Sequence, residues 1–304
     1  MKSANRILVR LWGGLGNQMY QYALARKLSI LNNNAQIKLD ISYFANYYWP
    51  FELNKFNIKA SLANSNEIFE FDNGSLSKKA GLLIEKIPWI RVKDFIRKPF
   101  SYVYTEPKVS FNPEVLDIRQ DVYLKGYWAS YKYFNDIRSV LLDDFTFKEE
   151  MNDSNKRICN LILSSDKAVS LHIRRGDYIS LPHTKKFFRS PYDDGFYDKA
   201  ITEIEKNINN PEFFIFSDDP EWVKANMKLK HKNTIVDINK GDNNYWDMKL
   251  MSLCKHNIIA NSTFSWWAAY LNKNTSKIVY APKVWFNDSK YIMEDIIPPN
   301  FIAL

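Results

Sequence analysis

Residues 168–178 of this 304-residue chain have the sequence AVSLHIRRGDY, in which a short, mainly apolar run precedes two arginines, a glycine and an aspartate. The run is typical of a buried strand, and similar runs recur through the second half of the chain, separated by helical patterns. Apolar strands that alternate with helices predict a parallel sheet with helices on both faces. The predicted strands are 168–173, 212–216, 234–238, 257–260 and 277–280, and the predicted helices are 196–208, 220–227, 245–254 and 263–271.

The first half of the chain begins with the same alternation. In order, the pattern predicts a strand at 7–11, the loop Gly13–Gly16, a helix at 17–31 and a strand at 36–39. The sequence then becomes aromatic-rich and less regular, and a further helix is expected at 131–142. We therefore predict an α/β protein of two Rossmann-like domains, residues 1–150 and residues 151–304.

The composition is that of a folded, basic protein. Hydrophobic residues make up 46% of the chain, and the formal net charge is +8, which attracts the phosphates of nucleic acids, anionic lipids or nucleotide-sugars. Two cysteines give no disulfide framework, and no stretch approaches the roughly 18 apolar residues of a spanning helix. The first residues lack the apolar core of a signal peptide, and a strand predicted from residue 7 leaves no room for a Golgi-type anchor and stem, so we expect a cytoplasmic protein.

Arg174 and Arg175 directly follow the strand predicted at 168–173. Ligands of parallel sheets bind beyond the carboxyl ends of the strands, so these side chains are expected at a binding edge. Two guanidinium groups can hold a diphosphate and stabilise the charge that builds on it as it leaves. An arginine pair is otherwise an ordinary surface feature, but its place between His172 and Asp177 favours the functional interpretation.

Two further polar clusters follow strands of the same half. Asp218 comes after the strand at 212–216 and can accept hydrogen bonds from a guanine edge or a ribose. Four polar residues lie at or just before the start of the helix predicted at 263–271, where unpaired helix N–H groups attract anions: Asn261, Ser262, Thr263 and Ser265. Asp218 with Asp219, and the hydroxyl residues, are equally suited to capping helices. Trp266 and Trp267 are expected in the core.

The carboxylate pair that commonly holds a divalent cation on a nucleotide-sugar is missing, because the chain has no Asp-x-Asp sequence. We therefore expect arginine in place of a metal, and no residue is assigned as a metal ligand.

The glycine loop suggests a different activity. A strand, the loop Gly13–Gly16, a helix and then Asp40 at the end of a second strand resemble a dinucleotide-binding fold, with Asp40 as the ribose ligand. The last glycine of that fingerprint is replaced by Met19, whose bulk opposes close packing of the helix on the strand. An NAD(P)-dependent oxidoreductase is therefore the weaker alternative.

Two binding functions are further alternatives. The positive charge suits a nucleic-acid-binding protein, although the sequence contains no recognised nucleic-acid module. Residues 78–100 carry seven Lys and Arg against two acidic residues, together with apolar side chains, and can dock on an anionic membrane. Pro88 and Pro99 interrupt this segment, which favours a packed surface helix pair.

Several motifs, in order, resemble the α-1,2-fucosyltransferase family of bacteria, glycosyltransferase family 11. Residues 13–23 (GGLGNQMYQYA) resemble its opening motif, and residues 172–178 (HIRRGDY) resemble an arginine motif shared with α-1,6- and protein O-fucosyltransferases. Residues 216–219 (FSDD) with Trp222, and residues 261–267 (NSTFSWW), resemble the two further motifs. Residues 126–128 (GYW) resemble a Gly-Tyr-Phe segment of the family. The resemblance covers nearly the whole chain.

The resemblance implies a GT-B-like fold of two Rossmann-like domains with a cleft between them. It implies a C-terminal domain that binds GDP-fucose and an N-terminal domain on the acceptor side. The implied reaction transfers L-fucose with inversion and without metal to a galactoside hydroxyl, as an α-1,2 linkage, in the synthesis of lipopolysaccharide or capsule glycans. A cytoplasmic enzyme that touches the inner membrane through residues 78–100 fits this role.

The resemblance also implies roles for individual residues. Arg174 would hold the β-phosphate, supported by Arg175 and His172, and Asp218 with the polar residues at 261–265 would contact GDP. Asn17 would place the acceptor or donor, and Gly14 and Gly16 are further candidates for donor binding. Asp177 is the candidate catalytic base, although a role in holding an arginine suits it equally.

Overall fold

The computed structural model describes residues 6–72, 102–108, 110–176, 182–288 and 293–304. The chain divides into two compact units, unit 1 (Met1–Thr146) and unit 2 (Phe147–Leu304). The division falls after Thr146, whereas the sequence pattern placed the junction near residue 150. Among the described residues, each unit contains one sheet, and every pairing between its strands is parallel.

Unit 1 contains five strands and two complete α-helices in its described part. The strands are β1 (Arg6–Arg10), β2 (Gln36–Asp40), β3 (Ser61–Leu62), β4 (Tyr102–Thr105) and β5 (Val122–Lys125), in the spatial order β3-β2-β1-β5-β4. The helices are α1 (Leu15–Leu31) and α2 (Arg138–Asp144), with a further helical stretch at 65–72. Short 3-10 helices cover Ser42–Asn46, Leu53–Lys55, Pro113–Asp117, Tyr131–Tyr133 and Asn135–Ile137.

The core of unit 1 lies around β1 and α1. Ile7, Leu8 and Val9 are buried in β1, and β1 is paired on both edges, with β2 and with β5. Helix α1 is buried around most of its circumference, and its sequence has no clear polar face. The carboxyl ends of β2, β1 and β5 therefore lie next to one another at one edge of the sheet.

Unit 2 contains six strands and six α-helices in its described part. The strands are β6 (Ala168–Ile173), β7 (Glu212–Ser217), β8 (Asn233–Val236), β9 (His256–Ile258), β10 (Val279–Ala281) and β11 (Ile302–Ala303), in the spatial order β11-β10-β9-β6-β7-β8. The helices are α3 (Asp153–Ser164), α4 (Pro182–Phe187), α5 (Phe196–Asn207), α6 (Pro220–Asn226), α7 (Tyr245–Leu253) and α8 (Thr263–Leu271). Short 3-10 helices cover Gly241–Asn243 and Met293–Asp295.

Strand β6 is the central strand of unit 2, and all six of its residues are buried. It pairs with β7 on one side and β9 on the other, so the loops that follow these three strands lie side by side. Trp266 and Trp267 in α8 are fully buried, which confirms their predicted place in the core. The parallel α/β class predicted from the sequence is likewise confirmed.

Two features differ from the sequence-based expectation. The helix predicted at 131–142 is replaced by two 3-10 turns followed by α2, because Phe134 between the turns has non-helical dihedral angles, with φ −144° and ψ 7°. Strands β3, β4 and β11 were not predicted, since runs of two to four residues carry too little periodicity. None of the described helices is long and apolar enough to span a bilayer.

Candidate functional site

The loop after β6 carries Arg174 and Arg175, and both are held by one aspartate from the neighbouring strand. The Arg174 Nη1 atom lies 2.8 Å from Oδ2 of Asp218. The other oxygen, Oδ1, accepts a hydrogen bond of 2.9 Å from the backbone N–H of Arg175. Asp218 follows β7 directly, so the parallel pairing of β6 with β7 brings its carboxylate to the arginine loop. A single carboxylate thereby fixes the loop and orients one guanidinium.

The Arg175 side chain is fixed by a different set of contacts. Its Cζ atom lies 3.6 Å from the centroid of the Trp222 ring, a close cation–π contact. Its Nε atom also lies 3.4 Å from Oδ2 of Asp219. Asp219 in turn caps α6 by accepting a hydrogen bond of 3.2 Å from the Trp222 N–H. The two adjacent aspartates therefore have separate roles, because Asp219 is the helix cap and Asp218 holds the arginine loop.

Gly176 is required by the close approach of the same carboxylate. A Cβ atom at this position would lie 2.5 Å from Oδ2 of Asp218. That oxygen cannot easily move away, since it is paired with Arg174. The glycine of the RRG sequence thus allows the loop to close onto Asp218.

His172 lies beneath the arginine loop as a neutral side chain. It is buried, and its ring centroid lies 6.0 Å from that of Phe264. Burial lowers the pKa of His172 to about 4, although nearby Asp218 acts to raise it, and Arg174 lowers it further. Its Nδ1 atom has no hydrogen-bond partner among the described residues. The imidazole therefore adds no positive charge to the site near neutral pH.

The polar residues at the start of α8 divide between a helix cap and buried or half-buried positions. Ser262 caps the helix by accepting a hydrogen bond of 3.3 Å from the Phe264 N–H. Ser265 is fully buried and donates to the Ser262 carbonyl at 3.4 Å, whereas Thr263 is half-buried in the first turn. The capping interpretation is thus confirmed for Ser262. Binding of a nucleotide by Ser262, Thr263 or Ser265 stays a prediction.

Asn261 is buried, and its amide group supports neighbouring loops. The side-chain N–H groups donate to the carbonyls of Arg189 at 2.7 Å and Trp285 at 3.0 Å. These bonds connect the end of β9 to two other segments of unit 2. The structure gives this side chain a scaffolding role, and its predicted contact with GDP stays a prediction.

The glycine loop of unit 1 joins β1 to α1. Gly13 has a φ of +76°, and a Cβ atom there would collide with the Asn17 side chain, so Asn17 folds back over the loop. Gly14 occupies the N-cap position and accepts a hydrogen bond of 2.9 Å from the Asn17 N–H. Gly16 is buried in the first turn of α1. Gln18 fastens the loop by donating to the Gly13 carbonyl at 3.0 Å.

Asp40 does not offer the free carboxylate that a dinucleotide-binding fold needs. It is buried, and it accepts hydrogen bonds from the Tyr123 hydroxyl and from the Ser42 N–H, the latter at 2.9 Å. Met19 is fully buried where the dinucleotide fingerprint has its last glycine. The carboxylate of Asp40 is therefore part of the core of unit 1 rather than a ribose ligand.

The predicted site residues fall into three groups. His172, Arg174, Arg175 and Asp218 lie together in unit 2, and the start of α8 follows the neighbouring strand β9. Asn17, Gly14 and Gly16 lie together in unit 1. Asp177, the candidate base, and the basic segment 78–100 lie outside the described residues. Within the described part of the chain, no group of three or more His, Cys, Asp or Glu is arranged to hold a metal ion.

Sequence reasoning missed the contact of Trp222 with Arg175. The position of Trp222 could have indicated this contact. The residue lies in the first turn of α6, at the same edge of the sheet as the arginines. Periodicity alone assigns such a tryptophan to the core, since it does not show which strand ends are neighbours.

Comparison with known proteins identifies the family of this chain. The sequence profile of glycosyl transferase family 11 matches residues 6–304. The chain is 34% identical to the O-antigen biosynthesis glycosyltransferase WbnK of Escherichia coli, over 94% of this chain and 98% of that protein. It is 32% identical to an alpha-1,2-colitosyltransferase of Escherichia coli, over 98% of each. It is 23% identical to galactoside alpha-(1,2)-fucosyltransferase 2 of Hylobates lar, over 92% of this chain and 72% of that protein.

Two solved structures share the fold. A mutant of Arabidopsis thaliana FUT1 in complex with GDP superposes with a TM-score of 0.53 at 11% identity, over 92% of this chain and 71% of that one. The fucosyltransferase NodZ from Bradyrhizobium gives a TM-score of 0.52 at 12% identity, over 88% and 93%. These likenesses support the GT-B-like α/β class. With a profile that spans residues 6–304 and relatives matched over almost their whole length, the chain belongs to glycosyl transferase family 11.

Proposed function

We propose that this glycosyltransferase moves L-fucose from GDP-fucose to a galactoside hydroxyl, with inversion and as an α-1,2 linkage, in the synthesis of a surface glycan such as an O-antigen. The observation that carries the proposal is the arginine loop at the carboxyl end of β6, fixed by Asp218. The names of the related proteins supply the sugar class, the linkage and the O-antigen context.

The proposed reaction breaks the bond between C1 of fucose and the β-phosphate oxygen of GDP. The bonding electrons stay on that oxygen, and the acceptor hydroxyl attacks C1 from the opposite face, which converts a β-linked donor into an α-linked product. Arg174 would pair with the β-phosphate and stabilise the negative charge as GDP leaves. The proton of the acceptor hydroxyl passes to solvent or to a nearby base.

The proposal needs no metal ion, because the arginine loop supplies the positive charge. Arginine stays protonated at any physiological pH and presents a planar fork of donors to phosphate oxygens. The Asp218 carboxylate uses one nitrogen of Arg174, Nη1, and thereby sets the direction of the guanidinium. The first turn of α8, next along the sheet, adds N–H groups that favour an anion.

A second donor is favoured by one relative, the alpha-1,2-colitosyltransferase. Colitose is fucose without its 3-hydroxyl group, so one diphosphate site would serve both sugars. The choice between them depends on contacts to that hydroxyl.

The test is a transfer assay with purified protein, GDP-fucose or GDP-colitose, and a panel of β-galactosides, with the product linkage determined by NMR. We expect an α-1,2-linked product, and transfer that persists in excess EDTA. A product with retained β-configuration would overturn inversion, and a loss in EDTA that only a divalent cation restores would overturn the metal-free reaction. Preference for GDP-colitose would replace the donor while leaving the mechanism intact.

A further inference from the structure

The carboxyl edge of the sheet in unit 1 carries an aromatic surface, formed by Trp12, Tyr43, Tyr47 and Tyr127. Trp12 follows β1, the two tyrosines at 43 and 47 follow β2, and Tyr127 follows β5. These three strands are neighbours in the sheet. Three adjacent loops thus each deliver an aromatic side chain to the edge where parallel sheets bind their ligands.

The four rings form one continuous surface. The Trp12 ring centroid lies 5.5 Å from that of Tyr127 and 6.1 Å from that of Tyr43, while Tyr43 and Tyr47 are 4.4 Å apart. The guanidinium carbon of Arg10 lies 5.4 Å from the Trp12 centroid and 5.5 Å from the Tyr43 centroid. The rings hold one another in place, and Arg10 fixes two of them from one side.

The surface is open to solvent although its members are packed. Tyr43 is 37% exposed, Tyr47 is 38% exposed and Tyr127 is 43% exposed, and Trp12 is half-buried. Adjoining exposed aromatic side chains are unusual on a soluble surface and commonly mark a binding site. Burial raises the pKa of Tyr47, and the neighbouring Tyr43 and Tyr127 side chains raise it further.

The turn that presents Tyr127 is fixed by Glu106, which follows β4. Its carboxylate accepts hydrogen bonds from the N–H groups of Tyr127 at 2.7 Å and Trp128 at 3.0 Å. Trp128 has a φ of +58°, a left-handed conformation that is rare for an aromatic residue, and its ring is fully buried. A strained residue held by several contacts keeps Tyr127 in one position.

We propose that this aromatic surface binds the terminal galactose ring of the acceptor glycan, and this inference rests on the proposed function. A galactopyranose has one apolar face of C–H groups, which can stack on an aromatic ring, and a rim of hydroxyls, which can bond to the tyrosine hydroxyls. A neutral sugar needs no counter-charge. The guanidinium of Arg10, the last residue of β1, lies over the rings of Trp12 and Tyr43.

The test measures acceptor binding separately from donor binding. Lactose is the probe, and its binding without donor is followed by saturation-transfer NMR, while transfer kinetics give KM for lactose. Trp12→Ala and Tyr127→Ala are expected to raise KM for lactose by about tenfold or more, as truncation of a buried aromatic contact does at interfaces. Tyr127→Phe, which keeps the ring, should lose less. The Kd for GDP should stay unchanged.

Phe69→Ala is the matched control, because Phe69 is an exposed aromatic residue of the same unit, 68% accessible and outside the surface. Thermal unfolding checks that each variant is folded. Unchanged lactose binding in folded Trp12→Ala and Tyr127→Ala would overturn the inference, and so would a loss of GDP affinity equal to the loss of lactose affinity. If wild-type protein transferred no sugar, the proposed function would fail, yet loss of the lactose NMR signal in these variants would still support the surface.

Discussion

Asp218 and Arg174 form an ion pair of 2.8 Å between the ends of two neighbouring strands, and the same aspartate accepts the backbone N–H of Arg175 at 2.9 Å. The pair is largely shielded from water, since the side chains are 24% and 18% exposed. The loop that would meet a diphosphate is therefore held in place by a carboxylate before any ligand binds. Such an arrangement lowers the reorganisation needed when charge develops on the leaving group.

Arg174→Ala should reduce kcat for transfer by roughly 10²–10³, the usual effect of removing one group that stabilises charge in a transition state. Arg174→Lys should recover part of this loss, because it keeps the charge without the planar fork. Arg189→Ala is the control, as Arg189 forms an exposed pair with Asp194 at 2.6 Å. Steady-state kinetics with GDP-fucose measure kcat for each variant. Normal turnover by a folded Arg174→Ala variant would refute the role of Arg174 in stabilising the leaving group.

Asp218→Asn should weaken binding of GDP and of inosine diphosphate (IDP) to the same extent, by about tenfold or more, because the neutral amide loses the ion pair that anchors Arg174. IDP lacks the 2-amino group of guanine. A carboxylate that read the guanine edge would instead make the substitution more harmful to GDP than to IDP. Calorimetry with both nucleotides separates the two roles.

The matched control for that substitution is Asp237→Asn. Asp237 pairs with Lys224 at 2.7 Å on the surface of the same unit. An equal loss of nucleotide affinity in Asp237→Asn would show that the effect of Asp218→Asn is not local.

Gly13→Ala should destabilise unit 1 and also impair transfer. A non-glycine residue at a φ of +76° costs about 1–2 kcal/mol, and the new methyl group would in addition push the Asn17 side chain away. Gly241→Ala is the control, because Gly241 has a φ of +58° and a methyl group added there would meet nothing within 4 Å. We expect both variants to lower Tm, and the glycine-loop variant alone to lower kcat, as Asn17→Ala should. Equal kcat in both variants would contradict a role for Asn17.

His172 should make stability depend on pH in the acidic range. Its folded pKa of about 4 lies below the value near 6.5 in an unfolded chain, so between these values the unfolded state binds more protons. The free energy of unfolding should therefore fall as pH drops from about 7 to 4, by up to roughly 1.4 kcal/mol per pH unit. In His172→Gln this contribution is absent.

Urea unfolding of wild-type protein and His172→Gln between pH 8 and pH 4.5 checks this expectation. The stability difference should shift in favour of the variant as the pH falls. Parallel pH dependence of the two proteins would show that His172 is not buried in the neutral form.

Much of the fold could be predicted from short, continuous signals. Helix α8 begins and ends where its pattern predicts, and the bounds of β6 agree fully, because both are continuous, mainly apolar segments. The prediction of a single helix at 131–142 was wrong, because a sequence period cannot distinguish an α-helix from successive 3-10 turns. The aromatic-rich region after Asp40 has no period, so its 3-10 helices could not be predicted.

The candidate site likewise contains features that the sequence predicted and features that it could not predict. The sequence identified Arg174, Arg175 and Asp218 because each directly follows a strand, and the structure brings them together. It left open which of two adjacent aspartates caps α6. The structure assigns the cap to Asp219, while the position of β7 beside β6 brings Asp218 to the arginine loop. His172 was grouped with the phosphate-binding residues, yet its burial makes it neutral.

The sequence by itself determined the class of fold, the family and the candidate site residues, because these depend on apolar periods and on short motifs. The tertiary structure alone decided which side chains meet. Asp218 lies 44 positions after Arg174 in the sequence, and Trp12, Tyr43 and Tyr127 come from three loops. Strand order brings such residues together, and strand order follows from packing of the whole sheet rather than from any local stretch of sequence.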